Sequence, residues 1–118
     1  MEIVFVYGTL RQGHNNHRLL IDCEFIDIGR TVNNYAMYAN GIPYVSDNEQ
    51  VSQIYGELYL VNKRILFNLD MLEGHPSWYK RKKTTIETLE GKIYNAWLYF
   101  NNTKTDNLIV SGDYSERL

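Results

Sequence analysis

One helical segment in the middle of the chain constrains the fold most, because the sequence marks both its beginning and its end. Apolar side chains recur there at helical spacing, at Ile65, Leu66, Leu69 and Leu72. Asn62 is a favourable N-cap residue, Gly74 is typical of the position just after a helix, and Pro76 cannot continue one. The pattern therefore predicts a helix over residues 63–73, with Glu73 as its last residue.

Most of the remaining chain has the pattern of short β-strands. Residues 3–7 are a continuous apolar run, which is typical of a buried strand, and residues 50–61 alternate between the two faces of a strand. The other predicted elements are a short helix over 16–21, an irregular strand over 24–32, a strand over 35–39, a brief extended piece at 44–45 and a hairpin over 79–88 and 92–101. This order predicts an α+β fold in which two short helices accompany a mixed, curled or barrel-like β-sheet.

The length and composition predict one globular domain over residues 1–118. Two domains would each be too small to bury a good core, and a chain that is 44% hydrophobic and 22% charged is typical of a folded protein. A net charge of −2 does not favour nucleic acid or an acidic membrane as the partner. Because Cys23 is the only cysteine and no signal peptide is evident, we expect a cytoplasmic protein. The oligomeric state is left open.

The turn after the first strand is the first candidate site. Tyr7, Gly8, Thr9 and Leu10 (the 7–10 turn) lie where a buried strand leaves its sheet. Successive backbone N–H groups in such a turn form an anion-binding concavity, and a glycine lets a ligand approach the backbone closely. A carboxylate is a plausible ligand for this turn. The alternative is an ordinary connection between a strand and a loop.

The glutamate at the end of the predicted helix is the second candidate. Glu73 faces the negative end of the helix dipole, has Asp70 three residues earlier, and borders the apolar stripe of the helix. Each of these effects disfavours the ionised form and raises the pKa of the carboxyl, as a general acid or base near neutral pH requires. The alternative is a solvated glutamate at a frayed helix end.

Four short segments, spread over almost the whole chain, match the signatures of one protein family. In chain order they are VFVYGTLRQG at residues 4–13, DMLEG at residues 70–74, YKR at residues 79–81 and SGDY at residues 111–114. With these segments the chain resembles the γ-glutamylcyclotransferase-like family, which includes small bacterial and archaeal members and plant AIG2-like proteins.

The resemblance implies a reaction in which a small γ-glutamyl amide or peptide releases 5-oxoproline, because its own α-amine attacks its γ-carbonyl. It implies that Glu73 is the general acid/base and that Tyr7, Gly8, Thr9 and Leu10 bind the substrate, mainly through backbone N–H groups. It further implies that Tyr79 and Tyr114 close over the glutamyl group. Arg81 is expected either to balance local charge or to be a plain surface arginine. No metal and no cofactor are expected.

Two other interpretations remain possible at this stage. One is a non-catalytic binding or regulatory module that keeps the γ-glutamyl pocket. The other is an interaction protein that uses the basic run at residues 80–83, although such a run is also typical of a sheet edge that charge protects from aggregation.

Overall fold

The structure is a computed structural model that describes residues 1–114. Within them are seven strands and two short helices. The strands are β1 (Glu2–Val6), β2 (Glu24–Thr31), β3 (Ala36–Ala39), β4 (Pro43–Ser46), β5 (Tyr55–Val61), β6 (Lys80–Thr88) and β7 (Ile93–Phe100). The helices are a 3₁₀ helix (Asn15–Leu20) between β1 and β2, and α1 (Lys63–Glu73) between β5 and β6. Among these residues no helix is both long enough and apolar enough to cross a bilayer.

Five of the strands close into a barrel in the order β1-β5-β2-β6-β7. All neighbours are antiparallel except β1 and β7, which are parallel and pair at Val4 and Trp97. Strands β3 and β4 form a separate hairpin. The segment after β7 holds this hairpin in place, since the Asn101 N–H donates to Val45 O (2.9 Å) and the Ile109 N–H donates to Met37 O (2.8 Å). The predicted α+β class and mixed sheet are confirmed, and the sheet closes.

The side chains of the barrel strands alternate between two hydrophobic clusters. The first cluster fills the barrel and includes Phe5, Leu58, Ile86, Ala96 and Leu98. The second lies between the outer face of the barrel and the two helices, and includes Val4, Val6, Tyr59, Val61, Leu20, Leu66 and Leu69. Successive residues of a strand point to opposite faces, so β1 contributes to both clusters.

The helix predicted over residues 63–73 is confirmed at both ends. The Asn62 side chain accepts a hydrogen bond from the Ile65 N–H (2.8 Å), which caps the first turn. At the other end Gly74 has φ 65°, a conformation that favours glycine, and the His75 N–H donates to Asp70 O (2.9 Å). This C-terminal cap fixes Glu73 as the last helical residue.

Three other elements differ from the sequence-based expectation. The short helix is of the 3₁₀ type, and the extended piece at 44–45 is the four-residue strand β4. The strand predicted over 50–61 begins only at Tyr55. Residues 50–54 are not part of this strand, because the Val51 and Ser52 N–H groups both donate to Tyr35 O (3.2 and 2.9 Å).

We predict that Leu69→Ala lowers the free energy of unfolding by about 2–5 kcal/mol, because it leaves a cavity between α1 and the barrel. Leu69 is fully buried, whereas Met71 on the same helix is 67% exposed. Met71→Ala is therefore the control, with an expected change within about 0.5 kcal/mol. Urea unfolding of both variants measures the difference. Equal losses would contradict the packing described for α1.

Candidate active site

A cavity of about 220 Å³ lies where β1 ends, between the 7–10 turn and the end of α1. The 7–10 turn, Glu73 and Tyr79 all contribute to its lining. Six of the eight residues that the sequence singles out therefore surround one space, although up to 72 positions separate them along the chain.

The hydrogen bonds of the 7–10 turn use its carbonyl oxygens. Gly8 O accepts from the Arg11 N–H, Thr9 O from the Asn16 N–H (both 3.0 Å), and Leu10 O from His17 Nδ1 (2.9 Å). Within residues 1–114 no acceptor pairs with the N–H groups of Thr9 and Leu10. The turn is thus held rigidly from its carbonyl side and keeps backbone donors for a ligand.

Gly8 is required for a different reason from the one that its sequence context suggests. Its φ is not in the left-handed region, so conformational freedom does not explain it. A Cβ atom at this position would lie 2.7 Å from Pro43 Cγ, closer than real Cβ contacts allow. Pro43 also lines the cavity, so the absent side chain at Gly8 lets two walls of the cavity approach each other.

Glu73 is a poorly solvated carboxyl group at the cavity. Burial raises the pKa of this carboxyl from its ordinary value of 4.5 to about 7. Within residues 1–114 the carboxyl has no hydrogen-bond or ion-pair partner that would stabilise its charge. The group can therefore gain or lose a proton near neutral pH.

Asp70 does not act as the uncompensated like charge that the sequence suggests. Arg81 contacts both of its oxygens, with Nε 2.8 Å from Oδ1 and Nη2 3.2 Å from Oδ2, and the Tyr99 hydroxyl donates to Oδ1 (2.6 Å). These donors hold the pKa of Asp70 below its usual range against the opposing effect of burial. The raised pKa of Glu73 therefore comes from burial and not from repulsion by Asp70.

Tyrosine side chains form much of the wall around Glu73. The Tyr7 hydroxyl donates to Tyr99 O (2.7 Å), and the Tyr79 hydroxyl donates to Pro43 O (2.7 Å). The Tyr79 ring stacks on the Tyr44 ring at a centroid distance of 5.9 Å. Burial raises the pKa of both Tyr7 and Tyr79, so the two hydroxyls stay protonated and neutral.

The last two predicted residues, Arg81 and Tyr114, lie outside the lining of this cavity. The Arg81 guanidinium pairs with Asp70 and lies 4.3 Å from the centroid of the Trp97 ring. Tyr114 is buried, and its hydroxyl donates to Gly41 O (3.1 Å), next to the cavity wall. Any effect of either residue on a ligand must pass through its neighbours.

Other cations of the basic run at residues 80–83 are also engaged within the protein. Lys82 pairs with Asp47, and the Lys83 ammonium lies 5.0 Å from the centroid of the Trp97 ring. These contacts use both charges within the protein, and β6 lies between β2 and β7 in the closed barrel and is not an edge strand.

Several lining residues were not among the site residues predicted from the sequence: Asn15, Asn16, Ile42, Pro43, Trp78 and Tyr99. Asn16 Nδ2 donates to Thr9 Oγ1 (2.8 Å) and so orients the hydroxyl of the 7–10 turn. Pro43 and Tyr99 reach the cavity from distant strands, and no local spacing marks them.

The chain matches a model of a known protein family and several of its members. The family model, described as "Gamma-glutamyl cyclotransferase, AIG2-like", matches residues 4–116. A relative from Methanocaldococcus jannaschii, named "Putative gamma-glutamylcyclotransferase", is 50% identical over 98% of each chain. The Homo sapiens protein named "Gamma-glutamylaminecyclotransferase" is 36% identical over 81% of this chain and 69% of its own.

A solved structure agrees with these matches in fold. The crystal structure of an AIG2-like protein from Mus musculus superposes with a TM-score of 0.81 at 29% identity, covering 90% of this chain and 80% of that one. Both the sequence and the barrel with its two helices therefore place this chain in the γ-glutamylcyclotransferase-like, AIG2-like family.

Proposed function

We propose that the protein is a γ-glutamylcyclotransferase that releases 5-oxoproline and a free amine from a small γ-glutamyl amide, with Glu73 as general acid/base. The observation that carries the proposal is that Glu73, with a pKa of about 7, lines the same cavity as a turn with available backbone donors. The names of the relatives, which refer to this activity, support the same reaction class.

The reaction needs no nucleophile from the protein. The α-amine of the substrate forms a new C–N bond to its own γ-carbonyl carbon, and the original amide C–N bond then breaks to release the amine. Because both groups belong to one molecule, ring closure is intramolecular and depends on the conformation in which the substrate is held. The protein must hold that conformation, remove one proton and supply one.

Glu73 is suited to both proton transfers. As the carboxylate, it accepts a proton from the attacking nitrogen; as the carboxylic acid, it donates a proton to the departing nitrogen. A pKa of about 7 makes both forms available at neutral pH, which is the condition for efficient general acid/base catalysis. Because no side chain of residues 1–114 pairs with the carboxyl, it is available for a hydrogen bond to the substrate.

The 7–10 turn provides the complementary charge. The N–H groups of Thr9 and Leu10 are suited to the α-carboxylate or to the oxygen that becomes negative during ring closure. Tyr79 forms an aromatic wall next to Glu73, and Tyr114 supports the lining residues Ile42 and Pro43 through its bond to Gly41 O. We assign no direct substrate contact to Arg81.

The charges around the cavity favour a particular kind of leaving group. Within residues 1–114 Glu73 is the one charged side chain in the lining, and no lysine or arginine contributes to it. A carboxylate on the leaving group would lie near Glu73 without a cation. A neutral or cationic leaving amine avoids this repulsion, and several relatives are named gamma-glutamylaminecyclotransferases.

We predict that Glu73→Gln lowers the rate of 5-oxoproline release by at least about 10²-fold, because general acid/base catalysis typically contributes about 10²–10⁴-fold. The control is Glu90→Gln, which makes the same change in the exposed β6–β7 turn and should leave the rate unchanged. The assay measures 5-oxoproline from a panel of γ-glutamyl amines, γ-glutamyl amino acids and glutathione.

Circular dichroism on each variant separates loss of fold from loss of catalysis. A folded Glu73→Gln protein with the wild-type rate would refute the assigned role. Silence of the wild-type protein across the whole panel would favour a binding module instead of an enzyme.

We predict that kcat/KM for a γ-glutamyl amine exceeds that for glutathione by roughly tenfold or more, since one unfavourable charge contact of about 1.4 kcal/mol corresponds to a factor of ten. Substrate competition in one reaction mixture gives the ratio directly. A preference for glutathione would show that a cation outside the described lining recognises the leaving group.

A further inference from the structure

A second glutamate of the structure is buried although it does not line the candidate site. Glu57 lies on β5, is 7% exposed, and pairs in register with Val6, the last residue of β1. A carboxylate in such a position loses hydration, so it is stable only when other polar groups compensate for that loss. The identity of these groups indicates what the carboxylate does.

The partners of Glu57 belong mainly to the segment that directly follows the 7–10 turn. The Gln12 N–H donates to Glu57 Oε1 (3.0 Å), and Arg11 Nε lies 3.7 Å from Oε2. The Tyr59 hydroxyl, itself buried, also donates to Oε1 (3.0 Å). One barrel carboxylate thus holds the two residues after Leu10.

Arg11 extends this contact to the segment before Tyr114. Its Nη1 lies 2.8 Å from Asp113 Oδ1, and the next residue, Tyr114, donates to Gly41 O (3.1 Å). Residues 42 and 43, which follow Gly41, line the cavity. Polar contacts and adjoining residues therefore connect Glu57, the exit of the 7–10 turn and the part of the cavity lining at residues 42 and 43.

We propose that Glu57 is a positioning residue, which acts with Arg11 to hold the 7–10 turn in its substrate-binding geometry. That the 7–10 turn binds substrate rests on the proposed function. That Glu57 and Arg11 hold the turn in place does not. Glu57 and Arg11 do not line the cavity, so their effect on substrate is transmitted through the backbone of residues 8–12.

The test compares Glu57→Gln and Arg11→Gln with Glu87→Gln, which alters a different ion pair of the barrel. Glu87 pairs with Arg30 at 3.3 Å and does not line the cavity of the candidate site. Steady-state kinetics with a γ-glutamyl amine should show KM raised about tenfold in the first two variants and kcat changed less than about threefold, because an α-carboxylate bound by the turn carries the same charge in the ground state and in the transition state. Glu87→Gln should match the wild type.

The double variant, Glu57→Gln with Arg11→Gln, separates positioning from independent effects. If both residues act through one contact, the KM of the double variant should be no higher than the higher KM of the two single variants. Unchanged KM in folded single variants, even with lowered stability, would overturn the proposal. If Glu57→Gln does not fold, Arg11→Gln and Arg11→Lys decide, with Arg11→Lys expected between Arg11→Gln and the wild type.

A second measurement keeps this proposal separate from the proposed reaction. NMR order parameters of the Gly8, Thr9 and Leu10 amides require no substrate, and rigid backbone gives values of about 0.85. A fall below about 0.7 in Glu57→Gln, with no change in Glu87→Gln, would support positioning even if the wild type released no 5-oxoproline. The positioning role would be rejected if the order parameters and KM were both unchanged. It would also be rejected if the order parameters were unchanged in a protein that shows no turnover.

Discussion

The packing of β1 on both of its faces is the constraint on which the site depends. Val4 and Val6 pack into the cluster beneath the helices, while Phe5 and Tyr7 pack into the cluster that includes the barrel interior. The strand is also hydrogen-bonded on both edges, to β5 and to β7. Because both faces and both edges of β1 are in contact with the rest of the protein, the position of β1 is fixed. The 7–10 turn directly follows β1, so its position is fixed as well.

The same outer cluster fixes the second half of the site. Leu66 and Leu69 bury one face of α1 against the barrel, and the Gly74 cap ends the helix directly after Glu73. The packing of α1 on the barrel, outside the cavity, therefore places Glu73 near the end of β1. Because the core sets the geometry of the cavity, the residues that line the cavity can be those that the reaction requires.

Burial of Glu73 has a thermodynamic consequence. Because its pKa is raised from 4.5 to about 7, the folded protein binds this proton more tightly than the unfolded chain does. The resulting stabilisation is complete below pH 4.5 and is lost as the pH rises to about 7. It amounts to no more than about 3 kcal/mol, reduced by solvent at the cavity, so the site is held at some expense of stability at neutral pH.

The parts of the structure that local chemistry determines could be predicted from the sequence. The Asn62 cap and Gly74 mark α1 to the residue, and the apolar run of β1 ends where the turn begins. Closure of the barrel could not be predicted, because it depends on which distant strands pair. Neither could Pro43 as the reason for Gly8, nor the pairing of Arg81 with Asp70. The first depends on how β4 lies against the 7–10 turn, and the second on how α1 packs beside the start of β6.

The most direct test of this account is a carbon-13 NMR titration of the Glu73 carboxyl carbon, assigned by its absence in Glu73→Gln. We expect a midpoint near pH 7, as burial next to the 7–10 turn requires. A midpoint near the ordinary value of 4.5 would mean that the carboxyl is solvated and ionised throughout. Such a midpoint would contradict the assignment of Glu73 as the proton donor and acceptor of the site.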